Sequence, residues 1–407
     1  MRSDLDVLLQ QRGLAGVVVL AHDRYCPAFY YATGKRIHHG LYVRAADGRA
    51  HLVHDPMERD QAAAVGCATS SYAQRGLLQK VKTAESQARG LAELVVELAR
   101  ELDLRGTLAF AGDVPLGFGW TLVDHVRSLA PELSVDASQP GPLDLAAMTK
   151  TEDELEKIRH CSRGAVEAMR RVREMLGSLR PQGDAFVTES GEIATLGHLR
   201  KLLHRTFAEY ALGEDGESIV AQGRDAGVPH NRGNDADLVR AGQPILVDIF
   251  PGEAGGGYHT DMTRTFCLGR APEPLRRVYE DCRAAFDAAM ARTLGGTPCR
   301  DLQELVCDVF ERQGHPTQRS RPGTEEGYVH GLGHGVGLAV HEGPRLGGPP
   351  SNTATLQPGH VVSVEPGLYY PERGLGVRIE DLVAVRADGT IENLTPAPYE
   401  LEIPIRA

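Results

Sequence analysis

The stretch that decides the fold runs from residue 244 to residue 266 and reads Pro244-Ile-Leu-Val-Asp248-Ile-Phe250, then PGEAGGG over 251–257, then YHTDMTRTF over 258–266. Two apolar segments joined by a glycine-rich turn predict a β-hairpin, with strands at Ile245–Phe250 and Asp261–Cys267. The point midway between Asp248 and Asp261 lies within the turn. A symmetrical hairpin therefore predicts that these two carboxylates lie directly opposite each other.

A segment nearer the C-terminus repeats this arrangement. Val361–Glu365 and Val377–Val385 are predicted strands, and the point midway between Glu365 and Glu380 again lies in the turn that joins them. Like charges that face each other across a hairpin destabilise it. Two such pairs on strands this apolar therefore predict a bound cation.

A glycine-rich loop between the two hairpins carries three histidines. It reads HGLGHGVGLAVH from His330 to His341, with His334 between them and glycine at every second position from 331 to 337. Glycine allows close approach of the backbone or a positive φ there. Four carboxylates and one imidazole offer more donor atoms than one ion accepts, which predicts two divalent ions that share bridging carboxylates. Oxygen-rich ligation without thiolate favours Mn²⁺ or Co²⁺ and leaves Zn²⁺ open. The predicted ligands are Asp248, Asp261, His334, Glu365 and Glu380.

The rest of the chain predicts two domains. A length of 407 residues is too great for one ordinary core, and 42% hydrophobic with 24% charged residues is normal for a globular chain. Residues 1–142 alternate strand-like and helix-like segments, which predicts an α/β domain. The segments are strands at Gly16–Leu20, Leu41–Arg44, Arg49–His54 and Gly106–Ala111, and a helix at Glu85–Leu104. A proline- and glycine-containing break at 138–142 is the predicted linker.

Residues 143–407 place helices before hairpin strands, which predicts an α+β domain. The capping-box sequence from Thr151 to Glu154 predicts the start of a long helix. Further predicted helices are Ile193–Tyr210, Leu275–Leu294 and Asp301–Gln313.

Charge and cysteine content exclude several classes of protein. A net charge of −11 without a stripe of lysine and arginine argues against nucleic acid or an anionic membrane as the main partner. No apolar run approaches the roughly 20 residues of a membrane helix, and the N-terminus lacks a signal pattern, so the expected compartment is the cytoplasm. The seven cysteines form no C-x-x-C pair and are predicted to be reduced thiols.

The quoted motifs, with SVEPG at 363–367 and VRIED at 377–381, resemble those of the pita-bread metallopeptidases. The resemblance is to the branch that contains Xaa-Pro dipeptidase (prolidase) and aminopeptidase P. It implies a creatinase-like N-terminal domain at 1–142 and a pita-bread catalytic domain at 143–407. Asp248 and Asp261 are 13 positions apart (261 − 248), two more than is usual in the family, and the extra residues fall in the turn.

The resemblance also implies residue roles. Asp248 would bind one metal ion, Asp261 and Glu380 would bridge the two ions, and His334 and Glu365 would complete the second site. Glu365 would also carry the proton of the reaction. The predicted substrate contacts are His230, His330, His341 and Arg378, of which His230 and His341 are also predicted to be catalytic. Asn231 follows His230 where the family often has a second histidine, which leaves substrate detail open.

Two readings of Arg378 stay open, as do several activities. The guanidinium could bind a substrate carboxylate bidentately, or it could form a salt bridge to Glu380 or Asp381. The implied activity is hydrolysis of Xaa-Pro dipeptides. The alternatives are removal of one residue from longer Xaa-Pro peptides, a creatinase-like hydrolase, or a non-catalytic member of the fold. Relatives commonly form dimers, so a homodimer that acts on short proline-containing peptides is expected.

Overall fold

The computed structural model describes residues 3–214, 216 and 218–405. The chain divides into two compact units, residues 1–147 and 148–407. The predicted boundary after residue 142 falls inside the helix Pro142–Met148, which reaches this division. Among the described helices, none combines the length and apolar character that crossing a bilayer requires.

The first unit contains a mixed six-stranded sheet in the order β4-β3-β2-β1-β5-β6. Its strands are β1 Gly16–His22, β2 His39–Ala45, β3 Ala50–His54, β4 Ala68–Ser71, β5 Gly106–Gly112 and β6 Leu133–Val135. Its helices are α1 Ser3–Gln11, α2 Pro27–Thr33, α3 Arg59–Ala63, α4 Leu77–Ala84, α5 Gln87–Glu101, α6 Leu116–Leu129 and α7 Pro142–Met148, with a 3₁₀ turn at Pro56–Glu58. The apolar faces of α5 and α6 pack with β1, β2 and β5 in one core.

The helix predicted at Glu85–Leu104 begins later than expected. Glu85 ends α4 in the left-handed region, with φ 51°, and Ser86 is the N-cap of α5. A helix cannot run through a residue of positive φ, so α5 starts at Gln87. The strand predicted at Gly16–Leu20 is confirmed as β1, which is two residues longer at its C-terminal end.

The second unit is built on four helices with long apolar faces. They are α8 Glu152–Ser178, α9 Leu196–Glu209, α10 Glu273–Arg292 and α11 Cys299–Arg312. The capping box before α8 is confirmed: Thr151 N donates to Glu154 Oε2 (2.8 Å) and Glu154 N donates to Thr151 Oγ1 (3.4 Å). The other three helices lie within three residues of their predicted bounds.

Strands of the second unit form a four-stranded and a five-stranded sheet and three small ribbons. They are β7 Arg180–Gln182, β8 Ala185–Val187, β9 Leu212–Gly213, β10 Ile219–Gln222, β11 Pro244–Ile249, β12 Gly252–Glu253, β13 Met262–Leu268, β14 Gly333–Gly335, β15 Glu342–Leu346, β16 Val361–Val364, β17 Gly367–Tyr370, β18 Leu375–Arg378, β19 Asp381–Val385, β20 Ile391–Asn393 and β21 Glu402–Ile403, with 3₁₀ turns at Asp225–Gly227 and Pro371–Arg373. The larger sheets have the orders β10-β11-β13-β21 and β15-β14-β16-β19-β20.

The first hairpin has a register that differs from the prediction. Asp248 on β11 lies opposite Thr263 on β13, so Asp261 is two residues along the partner strand. The bridge between Gly252 and His259 continues this register into the turn. The centre of the turn therefore lies one residue later than in the symmetrical hairpin that was predicted. Because the offset is two residues, both acids keep the same face of the sheet. Direct opposition of Asp248 and Asp261 is therefore wrong, and their common face is confirmed.

The second hairpin has the predicted register, but the single strand predicted at Val377–Val385 is wrong, because it is divided into β18 and β19, which belong to different sheets. Val364 on β16 lies opposite Asp381 on β19, and Gly367 lies opposite Arg378 in the ribbon β17–β18. Both pairs have the register that sets Glu365 opposite Glu380. Glu380 also connects the two sheets, because its backbone N–H donates to the carbonyl of Thr263 at 3.1 Å.

Candidate metal centre

Three carboxylates from both hairpins converge on one buried point. Asp248, Asp261 and Glu380 each offer an oxygen, and these oxygens lie within 4.8 Å of one another. Their residues are 8%, 4% and 1% exposed, so water does little to screen their charges. The bridge between the sheets brings them together, because it places Glu380 beside the strand that follows Asp261.

His334 and Glu365 extend the cluster from the second sheet. His334 Nε2 lies 3.2 Å from Glu365 Oε1 and 3.8 Å from Asp261 Oδ2. Ser363 bridges His334 and Glu365, since its hydroxyl accepts a hydrogen bond from the backbone N–H of His334 (3.2 Å) and donates one to Glu365 Oε1 (3.3 Å). The close approach needs glycine: a Cβ on Gly333 would lie 2.1 Å from the carbonyl oxygen of Ser363. All five predicted ligands are thus brought together.

Thr263 is a site residue that the sequence reasoning missed. Its hydroxyl donates to Glu380 Oε2 (2.6 Å) and accepts from Arg378 Nε (3.2 Å). It lies two residues after Asp261 on a strand with period two, so it faces the same side. That spacing is the signal by which it could have been found.

Arg378 forms an ion pair, but with a different partner from those expected. Its guanidinium donates to Asp248 Oδ2, to the hydroxyl of Tyr369 (2.8 Å) and to the carbonyl of Pro229 (3.4 Å). Asp381 instead pairs with Arg264 (2.7 Å). The residue is 3% exposed and its donors are engaged, so a substrate carboxylate would have to displace these contacts.

The cluster is electrostatically unbalanced without cations. Burial, followed by the charges of the neighbouring carboxylates, raises the pKa of Asp261 and of Glu380 well above the ordinary range. Burial alone would also raise the pKa of Glu365, but the hydrogen bond and charge of His334 outweigh it and lower that pKa. Like charges this close disfavour joint ionisation unless positive charge is supplied.

The donor set fits divalent cations. Asp248 Oδ1 is buried and has no hydrogen-bond partner among the residues that the structure describes. A buried charged oxygen without a partner is expensive, which makes an ion its natural partner. Oxygen donors with one imidazole suit Mn²⁺, Co²⁺ or Zn²⁺ better than thiolate-selective metals.

His330 lies beside the cluster with both ring nitrogens occupied. Nδ1 contacts the carbonyl of Gly331 (2.7 Å), and Nε2 contacts the hydroxyl of Tyr369 (2.9 Å). A carbonyl only accepts, so Nδ1 carries the proton, and a neutral ring then accepts at Nε2. Burial of the ring lowers the pKa of His330, which favours this neutral form. His330 therefore offers a ring face rather than a free nitrogen.

The outer edge of the site holds His341, His230 and Arg345. The ring of His341 packs on that of His334 with centroids 4.3 Å apart, and both His341 and His230 are exposed. Arg345 lies opposite His334 in the antiparallel pair β14–β15, so its side chain leaves the sheet on the same face. It is exposed and forms no ion pair within the described ranges. The sequence reasoning did not select Arg345.

The model of metallopeptidase family M24 matches residues 156–387, which span this whole constellation. The chain is a member of that family. It is an M24 metallopeptidase with the pita-bread fold, as the motifs predicted.

Several similar proteins carry dipeptidase names. The chain is 31% identical over 331 residues to the "Probable dipeptidase PepE" of Mycobacterium tuberculosis, covering 76% of this chain and 80% of that one. It is 31% identical over 185 residues to the "Xaa-Pro dipeptidase" of Pyrococcus furiosus, covering 46% and 49%. A solved structure, "Xaa-Pro dipeptidase from Bacillus anthracis", superposes with a TM-score of 0.76 at 22% identity over 99% and 98% of the chains.

Proposed function

We propose that this M24 enzyme hydrolyses the bond before proline in Xaa-Pro dipeptides and depends on two divalent metal ions. The observation that carries the metal proposal is the set of three buried carboxylates beside His334 and the half-buried Glu365, with Asp248 Oδ1 lacking a partner among the described residues. Mn²⁺ or Co²⁺ is the proposed metal, with Zn²⁺ as the alternative. Bound dications would supply Lewis acidity that makes water nucleophilic near neutral pH.

Glu365 is the proposed proton carrier. Its carboxylate lies at the edge of the cluster and is less buried than Asp261 and Glu380, so it can reach both a water and a substrate nitrogen. It would accept a proton from the attacking water and return it to the leaving imino nitrogen of proline. That nitrogen carries no N–H in the peptide and must be protonated for proline to leave.

His341 and His230 are the proposed substrate contacts. His341 would donate to the oxygen of the scissile carbonyl as negative charge builds there. His230 would line the proline ring, with the ring face of His330 beside it. This division of roles follows from exposure, since His341 and His230 are exposed at the outer edge while the nitrogens of His330 are bonded.

Arg345 replaces Arg378 as the proposed partner of the substrate's C-terminal carboxylate. It extends from the same face as His334 and is exposed without an acidic partner in the described part of the chain, whereas the guanidinium of Arg378 is engaged. A guanidinium binds a carboxylate through two parallel hydrogen bonds. Such a contact favours a dipeptide, whose carboxylate follows directly on proline, over a longer peptide.

A comparison of Ala-Pro with Arg-Pro-Pro tests the length preference. With Mn²⁺ present, Ala-Pro is expected to be the better substrate by kcat/KM, and Arg345→Met should remove most of that preference. Lys201→Met, a substitution of an exposed lysine on α9, is the matched control for loss of a surface cation. Preferential cleavage of Arg-Pro-Pro by the wild type would favour the aminopeptidase alternative.

A homodimer is also proposed. Leu116 and Trp120 lie one turn apart on α6 and are 88% and 70% exposed, an unusual exposure for large apolar side chains. Sedimentation of the wild type should give a dimer, and Trp120→Gln should weaken it. A monomeric wild type at micromolar concentration would contradict this.

The cytoplasm remains the expected compartment, on the sequence argument alone.

A further inference from the structure

A buried ion pair lies directly behind the loop that carries His341. Lys150 Nζ donates to Glu342 Oε1 and to the carbonyl of Met148 (3.2 Å). The side chain of Lys150 is 1% exposed and that of Glu342 is 15% exposed. None of the proposed catalytic steps uses this pair. Burying a lysine charge is unfavourable unless a well-placed partner compensates it, so a buried lysine at this position needs a structural or functional explanation.

Glu342 marks the start of a bulge in β15. Gly335 lies opposite Glu342, whereas the preceding residue His334 lies opposite Arg345, so residues 343 and 344 are extra on this strand. Bulges beside active sites re-aim side chains. This one separates His341, immediately before Glu342, from Arg345, and so sets the spacing of the two proposed substrate contacts.

The segment that contains Met148 and Lys150 packs against this bulge. A Cβ on Gly343 would lie 2.2 Å from Met148 Cε, so Met148 packs tightly against the bulge. The backbone N–H of Lys150 donates to the carbonyl of Gly359 (2.8 Å), which anchors the segment. On the other side, the carboxylate of Glu342 fills the space beside Gly337, where a Cβ would lie 2.5 Å from Oε2.

We infer that Lys150 is a positioning residue for the substrate's C-terminal end, acting through Glu342 and the bulge at 342–344 to fix Arg345 relative to His341. The inference rests on the proposed function, because it assumes that Arg345 binds the carboxylate of the dipeptide. Among the described residues, no side-chain hydrogen bond or ion pair joins Lys150 or Glu342 to the proposed metal ligands. Loss of the pair should therefore affect recognition of the carboxylate more than metal binding.

The test measures kcat and KM for Ala-Pro and for its C-terminal amide in Lys150→Met, Lys150→Arg, Glu342→Gln and the double variant Lys150→Met/Glu342→Gln. For Lys150→Met, kcat/KM on Ala-Pro should fall by about 10²-fold, the effect of a misplacement near 1 Å, mainly through KM. The amide should lose much less. Mn²⁺ content and affinity should stay at the wild-type level. Lys150→Arg should restore most of the loss, and the double variant should be no worse than Lys150→Met, because residues that act as a unit are not additive.

Each contrary outcome is distinct. Equal losses on acid and amide, or loss of Mn²⁺ by Lys150→Met, would show a general structural role and overturn the inference. If Lys150→Met does not fold, the double variant, which leaves no unpaired buried charge, gives the same comparison. A wild type that cleaves neither substrate contradicts the proposed function instead. A wild type that prefers Ala-Pro, with Lys150→Met unchanged in that preference, contradicts the inference alone.

Discussion

Two buried arginine–aspartate pairs, Arg264–Asp381 and Arg378–Asp248, each have one member close to Glu380 in sequence, and they differ in how completely the aspartate is hydrogen-bonded. Asp381 accepts hydrogen bonds from Arg264 (2.7 Å), Asn393 (2.5 Å) and Tyr399. Asp248 accepts from Arg378 and keeps one buried oxygen without a partner among the described residues. The fully bonded pair serves the fold, while the incompletely bonded pair points to an ion. Burial and pairing alone do not separate the two cases.

Arg264 also shows how the fold holds the site from behind. Its guanidinium donates to the backbone carbonyls of Thr263 (2.9 Å) and Glu380 (2.6 Å), where the two sheets are bridged. The ring of Tyr399 stacks on it, with the guanidinium carbon 4.5 Å from the ring centroid. The Arg264–Asp381 pair thus holds the strands next to Asp261 and Glu380 through their backbone, and not through the clustered carboxylate oxygens.

The largest effect on stability is expected from breaking the fully bonded pair. Asp381→Asn should lower the free energy of unfolding by about 3–5 kcal/mol, because it leaves the charge of Arg264 buried and uncompensated. Urea denaturation of the metal-free protein measures this. A loss below about 1 kcal/mol would mean that the Arg264–Asp381 pair is not structural.

Breaking the other pair should affect activity instead. Asp248→Asn should reduce kcat/KM on the order of 10³-fold, since it would remove a proposed metal ligand worth several kcal/mol in the transition state. The stability of the metal-free protein should change little, because the substitution also removes one of four crowded negative charges. Near wild-type activity of Asp248→Asn would show that Asp248 is not a metal ligand.

Stabilisation by metal sharpens the contrast. At a free Mn²⁺ concentration of about 100 times the Kd, the wild type should gain about 2.7 kcal/mol against urea for each ion bound, because the ions bind only the folded state. Asp381→Asn should keep that gain if it still folds, and Asp248→Asn should lose most of it. Equal gains in both variants would contradict the distinction drawn between the pairs.

The smallest effect is expected at Thr263, which contacts both Arg378 and Glu380. Thr263→Val keeps the shape and removes the hydroxyl, which should weaken Mn²⁺ binding by about 10–100-fold. Thr263→Ser keeps the hydroxyl and serves as the control. Identical Mn²⁺ affinities in the two variants would show that the hydroxyl does not orient Glu380.

The local pattern predicted most of the strands well, and the five residues predicted as ligands lie close together. Apolar runs interrupted by single acids located β11, β13, β16 and β19, and the step of two residues along a strand kept Asp248 and Asp261 on one face. The register of the first hairpin could not be predicted, because Gly255, Gly256 and Gly257 adopt positive φ and shift the centre of the turn. Glycine permits several turns that the sequence alone does not distinguish.

Contacts between sheets were beyond the sequence pattern. The bridge from Thr263 to Glu380 determines which arginine meets which aspartate, and it joins residues more than a hundred positions apart. The same holds for Arg345, whose place beside His334 depends on a bulge that no periodicity reveals. The ligand roles of the five residues, the substrate roles of His230, His330, His341 and Arg378, the identity of the metal and the dimer remain predictions.

Metal titration of the protein freed of metal tests the central claim most directly. Calorimetric titration with Mn²⁺, with metal analysis of the dialysed product, should show two ions per chain, and kcat for Ala-Pro should rise in step with occupancy. Asp248→Asn should bind fewer. A chain that holds no divalent ion, or that cleaves Ala-Pro equally well after chelation, would contradict the account.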